Sequence, residues 1–234
     1  MSVIDFHSHI LPGIDDGSRN LEESERMLAS SREQGVDFVV ATPHFYADRD
    51  RIDAFLKRRE EAYQKVLAAK APGPEILLGA EVAFFGGISR AKDIDRVCLA
   101  GTNILLLEMP FRAWKDEDID EVDALIRRRG FRVMLAHLER FLMYRENKGF
   151  IYDLMDMDTI VQINSGSLLK WQKRGPALKL FRYKGIGLLG SDCHRSDVRV
   201  QNLGEGREVL GKKLGSGFVA EMDSLGAGLL NIGR

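Results

Sequence analysis

Asp5-Phe6-His7-Ser8-His9, close to the start of the chain, is the stretch that decides the fold. The apolar residues around it predict a buried strand, on which His7 and His9 are two positions apart and point to the same face. Because a neutral imidazole offers a nitrogen lone pair, two on one face make half of a metal site. The loop at residues 11–18 then returns two carboxylates to the same neighbourhood. The alternative is a pair of surface histidines beside an ordinary Asp-Gly turn.

The other histidines favour the metal site. The chain has five histidines, and His44, His137 and His194 each follow an apolar run that predicts a strand. Histidines scattered over a surface would not fall repeatedly at strand ends. The pattern therefore predicts that imidazoles from distant parts of the chain meet in one place.

Two glutamates are placed in the same way. Glu81 lies within the apolar run 76–83, and Glu108 ends the apolar run that begins at residue 103. Burying a carboxylate without a partner is costly, so both residues need an explanation. A metal ion would satisfy both at once, whereas the alternative is a salt bridge from each glutamate to an arginine or lysine.

Length and composition bound the class of protein. A chain of 234 residues, 44% of them hydrophobic, can form one large α/β domain, here expected over residues 1–234. The formal net charge of −1 gives no reason to expect a nucleic-acid partner. The sequence shows neither a signal peptide nor a continuous apolar run of about eighteen residues, so we expect no membrane insertion and a cytoplasmic location.

The cysteines predict neither a disulfide framework nor a nucleophile. Two cysteines are too few for such a framework. Cys193 lies between Asp192 and His194, so on a strand it would face away from both. Arg199 follows it at the Cys-x5-Arg spacing of a thiol-phosphatase loop, but a thiol that faces away from the neighbouring polar groups into the core would be a poor nucleophile. We interpret Cys193 as a packing residue.

Strand and helix patterns alternate about seven times along the chain. Nearly continuous apolar strands indicate a parallel sheet covered by helices. Candidate ligands at the C-terminal ends of the strands favour closure into a barrel, whose active site forms at that rim. Beyond the first strand, the predicted strands are 37–42, 76–83, 103–110, 131–137, 159–164 and 185–191. The predicted helices are 21–34, 51–69, 116–129, 150–157 and 168–184 (the last divided at Gly175-Pro176), followed by a tail helix, a Gly-rich turn and a short terminal helix.

Nine side chains form the candidate metal site. They offer nitrogen and oxygen only, and this mixture suits Mn, Fe or Zn better than an all-cysteine structural zinc site. Because nine groups exceed the coordination of one ion, two or three divalent ions sharing carboxylates are expected, with manganese the first choice. The candidates are His7, His9, Asp16, His44, Glu81, Glu108, His137, Asp192 and His194.

The same motifs resemble those of a known family. In this order and spacing they are similar to the motifs of the PHP (polymerase and histidinol phosphatase) superfamily. The fuller opening, residues 7–18, resembles the capsule-linked bacterial protein-tyrosine phosphatases of the CpsB/YwqE type. The resemblance extends from residue 3 to about residue 200 and is carried by His7-Ser8-His9, Thr42-Pro43-His44, Ala80-Glu81, Leu107-Glu108, Ala136-His137-Leu138-Glu139-Arg140 and Ser191-Asp192-Cys193-His194.

The resemblance implies a fold and a metal centre. The fold would be a distorted, TIM-like (β/α)7 barrel, with the active site at the C-terminal ends of the strands. The centre would hold three ions, with one carboxylate bridging two of them. The implied ligand sets are His7, His9, Glu81 and Asp192 for one ion, Glu81, Glu108 and His137 for a second, and Asp16, His44 and His194 for a third.

The resemblance also implies two phosphate-binding arginines, Arg140 and Arg199. Arg195 and Arg207 are close enough in sequence to be alternatives to Arg199. The alternative role for Arg140 is a salt bridge to a neighbouring glutamate. Two carboxylates near the motifs, Asp15 and Glu139, are candidates for orienting the imidazoles through hydrogen bonds.

The function implied by the resemblance is that of a metal-dependent protein-tyrosine phosphatase, which hydrolyses phosphotyrosine with a metal-activated hydroxide. The implied partner is the phosphorylated tail of a bacterial tyrosine kinase that controls capsule or exopolysaccharide synthesis. Two alternatives stay open. A small-molecule phosphomonoesterase of the histidinol-phosphatase kind would share every ligand, and a non-catalytic scaffold would retain a structural metal. The scaffold is disfavoured because structural sites close their coordination with fewer groups.

Overall fold

The computed structural model describes residues 2–70 and 72–233 and shows an α/β protein. Every pairing between the described strands is parallel, as predicted. The strands are β1 (Ile4–Ser8), β2 (Phe38–Ala41), β3 (His44–Phe45), β4 (Glu75–Leu78), β5 (Glu81–Ala83), β6 (Ile104–Glu108), β7 (Arg132–Leu135), β8 (Thr159–Asn164) and β9 (Leu188–Gly190). The α-helices are α1 (Leu21–Glu33), α2 (Ile52–Ala69), α3 (Asp116–Arg127), α4 (Asn147–Asp156), α5 (Ser165–Leu169), α6 (Trp171–Lys184), α7 (Leu203–Leu214) and α8 (Ser216–Leu229).

One predicted strand is interrupted in the structure, and another is followed by a further short strand. One ladder has the strand order β1-β2-β4 and the other has the order β3-β5-β6-β7-β8-β9. Pro43, which has no N–H to donate, separates β2 from β3. Gly79 separates β4 from β5, and a Cβ there would lie 2.5 Å from the Leu99 side chain. The single strand predicted over 76–83 is therefore wrong, because the chain changes ladder at this close approach.

The last strand leads back to the first. The N–H of Asp192 donates to the carbonyl oxygen of His7 over 2.8 Å, and the N–H of His9 donates to that of Cys193 over 2.9 Å. Ser8 and Cys193 form an isolated parallel bridge. The beginning of the chain and the segment after β9 therefore lie side by side at the C-terminal ends of the strands.

The strands supply a buried apolar core, and the helices cover it. All five residues of β6 are buried, with Glu108 at its C-terminal end. Asn20 caps α1, since its side-chain oxygen accepts the N–H of Glu23 over 3.0 Å. At the end of the chain, α8 lies against β1, and a Cβ on Gly226 would approach the ring of Phe6 to 2.9 Å.

The helices after β8 differ from the prediction. Pro176 lies inside an uninterrupted α6, so the predicted division at Gly175-Pro176 is wrong. The break falls at Lys170 instead, where the guanidinium of Arg174 donates to the carbonyl oxygens of Leu168 and Leu169 and so caps α5. The terminal helix α8 has 14 residues and is not short. No helix within the described ranges is long and apolar enough to cross a membrane.

Candidate metal centre

The structure brings the predicted ligands into one cluster at the C-terminal ends of the strands. Each of the nine side chains has a nitrogen or carboxylate oxygen within 4.0 Å of another member. Asp16, 60% exposed, lies at the outer edge, and His44 is partly exposed, while most of the remaining members are almost fully buried. That these side chains bind metal stays a prediction, but they share one location.

Glu81 lies at the centre of the cluster. Its Oε2 is 3.1 Å from His7 Nε2, 3.3 Å from His9 Nε2 and 3.0 Å from His44 Nδ1. Its Oε1 is 2.8 Å from His137 Nε2. One carboxylate therefore faces four imidazoles, which come from three different parts of the chain.

Two aspartates also contact the imidazoles of the cluster. Asp192 Oδ1 lies 3.7 Å from His7 Nε2 and 3.4 Å from His194 Nδ1. Asp16 Oδ1 lies 3.5 Å from His44 Nε2 and 3.4 Å from His194 Nε2. His44 and His194 thus connect the buried part of the cluster to its exposed edge.

The donor atoms fit divalent ions. In the part of the chain that the structure describes, His44 Nδ1, Glu81 Oε2, Asp192 Oδ1 and His194 Nε2 are buried and make no hydrogen bond. Such atoms are costly unless something else binds them. Neighbouring ligands of an octahedral ion, bound at about 2.1 Å, lie about 3.0 Å apart, which is close to the spacings around Glu81. The cluster therefore has the donor types, the unpartnered atoms and the spacing that metal ions require.

Hydrogen bonds orient two of the imidazoles. Asp15 Oδ2 accepts from His9 Nδ1 over 2.7 Å, and Gln162 Oε1 accepts from His7 Nδ1 over 3.0 Å. Both rings consequently turn Nε2 toward Glu81. The orienting role predicted for Asp15 is confirmed. Glu139 instead accepts hydrogen bonds from Ser167 Oγ and the backbone N–H of Asn164, so it ties the segment after β7 to the end of β8 and to α5 instead of orienting a ring.

The electrostatics of the cluster favour ionised carboxylates. Burial alone would raise the pKa of Glu81, but the charges of His7 and His44 hold the pKa well below its usual range. Burial alone would lower the pKa of His137, but hydrogen bonds to Glu108 and Glu81 raise that pKa to about 10. Protons therefore occupy part of this site at neutral pH, and metal binding should release them.

Two members of the cluster stand in strained turns. His137 follows β7 with φ 31°, and Asp192 follows β9 with φ 53°, both in the left-handed region. This conformation costs about 1–3 kcal/mol for a residue with a side chain, so the surrounding bonds must hold it. Because Asp192 is left-handed, Cys193 is not on a continuous strand, and the alternation argument used for it is wrong. Cys193 is nevertheless fully buried, and burial raises the pKa of its thiol, so it is no nucleophile.

Sequence reasoning missed two polar residues beneath the cluster. Asp5 is fully buried and accepts hydrogen bonds from the backbone N–H of Ser191 and from Gln201 Nε2, each over 2.8 Å. It ties β1 to the segment that carries Asp192. Gln162 bonds to the backbone N–H of His137 as well as to His7. The available signal was a single polar residue inside an apolar strand.

The predicted arginines lie at the mouth of the cluster. Arg199 Nη1 is 3.0 Å and Arg140 Nη1 is 3.6 Å from Asp192 Oδ2. Arg195 also lies at the edge and donates to the backbone oxygen of Asp16 over 3.4 Å. Arg207 pairs with Asp223 between α7 and α8, so it is not an alternative to Arg199.

Known proteins share this sequence and fold. The chain is 28% identical over 221 residues to the tyrosine-protein phosphatase YwqE of Bacillus subtilis, which covers 92% of this chain and 86% of that protein. It is 27% identical over 235 residues to the tyrosine-protein phosphatase CpsB of Streptococcus pneumoniae, and the aligned region covers 94% of this chain and 94% of that protein. A solved structure from a study of YwqE and CpsB, described as unique metal-dependent tyrosine phosphatases, superposes with a TM-score of 0.85 at 27% identity and covers 99% of this chain and 96% of that one.

The profile of one family matches almost the whole chain. This family is described as capsular polysaccharide synthesis, CpsB/CapC, and the match extends over residues 3–226. It includes all nine side chains of the cluster and both arginines at its mouth. The resemblance inferred from the motifs is therefore confirmed, and the chain belongs to the CpsB/CapC family.

Proposed function

We propose that this chain is a metal-dependent protein-tyrosine phosphatase that acts on a protein of capsular polysaccharide synthesis. The observation that carries the proposal is the buried cluster of imidazoles and carboxylates with two guanidinium groups at its mouth. Relatives named tyrosine-protein phosphatases support the substrate class. The proposed substrate is the phosphorylated tail of a bacterial tyrosine kinase. A cytoplasmic location belongs to the same proposal.

The proposed cofactor is a set of two or three divalent ions, with manganese the first choice. When bound, divalent ions lower the pKa of water and offset the negative charge of a phosphoryl group. Three groups of side chains have ligand atoms within 4.8 Å of one another: His9, Asp16, His44 and His194; His7, His9 and Glu81; and His44, Glu81 and Glu108. Asp192 and His137 extend these groups through their contacts with His7 and Glu81.

The arginines are proposed to bind the phosphoryl oxygens. A guanidinium presents parallel N–H groups that match two oxygens of a phosphate. Arg199 and Arg140 both face Asp192 Oδ2, so they approach the cluster from the open side. We propose that a phosphate enters between them and that their hydrogen bonds position its phosphorus against the cluster.

The proposed fold is a distorted (β/α)7 barrel formed by one domain over residues 1–234. The pairs β2/β3 and β4/β5 would each count as one interrupted strand, which leaves seven strand positions. Backbone bonds between the His7-to-His9 segment and the segment after β9 support closure. A closed barrel would explain why ligands from both ends of the chain converge.

The proposal is tested by hydrolysis of defined substrates. Protein freed of metal with a chelator is reloaded with Mn2+ and assayed on a phosphotyrosine peptide and on histidinol phosphate. We expect Mn2+ to restore turnover of the peptide, with a higher kcat/KM than for histidinol phosphate. Replacement His7→Ala should abolish turnover and lower the metal content measured by elemental analysis. Preference for histidinol phosphate would favour the small-molecule phosphatase, and metal-loaded, folded protein without any phosphatase activity would favour the scaffold.

A further inference from the structure

A positively charged cleft lies beside the metal cluster. Its volume is about 400 Å3, and its wall includes Asp192 at the edge of the cluster. Four basic side chains line it: Arg140, Lys170, Lys173 and Arg199. The arginines lie at the mouth of the cluster, whereas the lysines extend the charge outward along the start of α6. The cleft is therefore continuous with the site but reaches beyond the reacting group.

The two lysines of this cleft are exposed and unneutralised. In the part of the chain that the structure describes, neither the Lys170 nor the Lys173 ammonium has a carboxylate oxygen within 4.0 Å. Near His44, by contrast, Arg58 pairs with Asp50, and Arg49 lies 4.0 Å from a carboxylate oxygen of Asp48. The positive potential is therefore concentrated on the α6 side.

A second cavity continues the cleft. Its volume is about 630 Å3, and it shares Arg140, Ser167 and Lys173 with the first. Its apolar wall includes Phe111 and Met143, which are 42% and 71% exposed. A phosphate group alone would not need these surfaces. A peptide that continues from the phosphorylated residue would contact them, with its charged side chains toward the lysines.

We propose that Lys170 and Lys173 recognise aspartate or glutamate residues that flank the phosphotyrosine in the substrate. The proposal rests on the proposed phosphatase function and names the sequence that this site prefers. The lysines are specificity residues, because they line the cleft but lie outside the metal cluster. Exposed ion pairs contribute little individually, so recognition by the pair should change kcat/KM by about threefold to tenfold. Being exposed, the interaction should weaken as ionic strength rises.

The test is an exchange of charge on both partners. Two phosphotyrosine peptides differ only in their flanking residues, which are glutamates in one and lysines in the other. We expect wild-type, Mn-loaded protein to prefer the glutamate peptide, mainly through a lower KM. The double variant Lys170→Glu/Lys173→Glu should lose this preference or reverse it toward the lysine peptide. Turnover of p-nitrophenyl phosphate, which has no flanking residues, should stay within about twofold of wild type.

The matched control carries the same change in net charge elsewhere. Lys179 and Lys213 are exposed and line neither cavity, so Lys179→Glu/Lys213→Glu should keep the wild-type peptide preference. If both double variants change the preference equally, or neither changes it, the proposal is wrong. Failure of wild type to hydrolyse either peptide or p-nitrophenyl phosphate would instead overturn the phosphatase function, and the proposal with it.

Discussion

The buried cluster and its exposed rim hold their charges in different ways. Within the cluster, His7 and His9 are fully buried and each is fixed by a side-chain acceptor. At the rim, Arg140 and Arg199 are 34% and 41% exposed, and their guanidinium groups both lie within 4.0 Å of Asp192 Oδ2. The side chains of the cluster are therefore held in a fixed geometry. The two arginines of the rim can instead leave Asp192 and bind a substrate. Substitutions in the two regions should consequently fail in different ways.

The largest effect is expected at the centre of the cluster. Glu81→Gln keeps the shape of the side chain but removes the charge that faces four imidazoles, so metal should be lost. We expect kcat to fall by about 10²–10³-fold, as when one catalytic electrostatic contact is removed. Activity and elemental analysis measure the two effects. The control Glu75→Gln, an exposed change at the start of β4, should alter neither kcat nor metal content. Retention of metal and turnover in Glu81→Gln would contradict the proposed metal centre.

A smaller effect is expected from the acceptor that orients His9. Burial alone would raise the pKa of Asp15, but the charge of His9 and the hydrogen bond to that ring lower the pKa to about 2, so the carboxylate is ionised throughout the physiological range. Asp15→Asn would weaken the hold on the ring and should reduce metal affinity by about 10–100-fold. Titration of the stripped protein with Mn2+ measures this. Excess Mn2+ should restore much of the activity, which it could not do if Asp15 acted directly on the substrate. Asp120→Asn, on the exposed face of α3, serves as the control.

At the rim, the substitution should spare the metal. Arg140→Ala removes one of the guanidinium groups proposed to bind phosphate and should lower kcat/KM by about tenfold. Metal content should equal that of wild type, because no ligand changes. Arg145→Ala, a nearby exposed arginine, provides the comparison. A loss of metal in Arg140→Ala would show that rim and cluster are not separable.

The smallest effect is expected at the buried thiol. Cys193→Ser should leave kcat within about twofold of wild type, because Cys193 packs and does not react. Cys98→Ser, another buried cysteine distant in sequence from the ligands, controls for the cost of placing a hydroxyl in a core. Complete loss of activity in Cys193→Ser alone, with normal folding, would mean that the chemistry proposed for this site is wrong.

The cluster could be predicted from sequence because its members follow a simple rule. An imidazole or carboxylate such as His44 or Glu108 comes at the end of an apolar run, and parallel strands bring such ends to one edge. The supporting residues obey no such rule. Asp5 and Gln162 stand within strands, and only the three-dimensional contacts show which backbone groups they hold.

The rim was predicted less completely. Arg140 belongs to a recognisable motif, but the choice of Arg199 over Arg207 required the contact between α7 and α8 that occupies Arg207. Lys170 and Lys173 resemble any exposed lysines in the sequence. Their significance depends on the break between α5 and α6, which the sequence placed instead at Pro176. Tertiary contacts decided both points.

The hydrogen bond between Asp5 and Ser191 joins residues 186 positions apart. During translation, His7 and His9 leave the ribosome long before Asp192 and His194 are made. The early chain therefore contains only part of the proposed metal site. The segment that completes the site is made only 186 positions after Asp5, and chains of this size otherwise tend to fold stepwise. A chain that stops before Asp192 therefore lacks part of the proposed metal site, and catalytic competence requires both distant segments to have been synthesised.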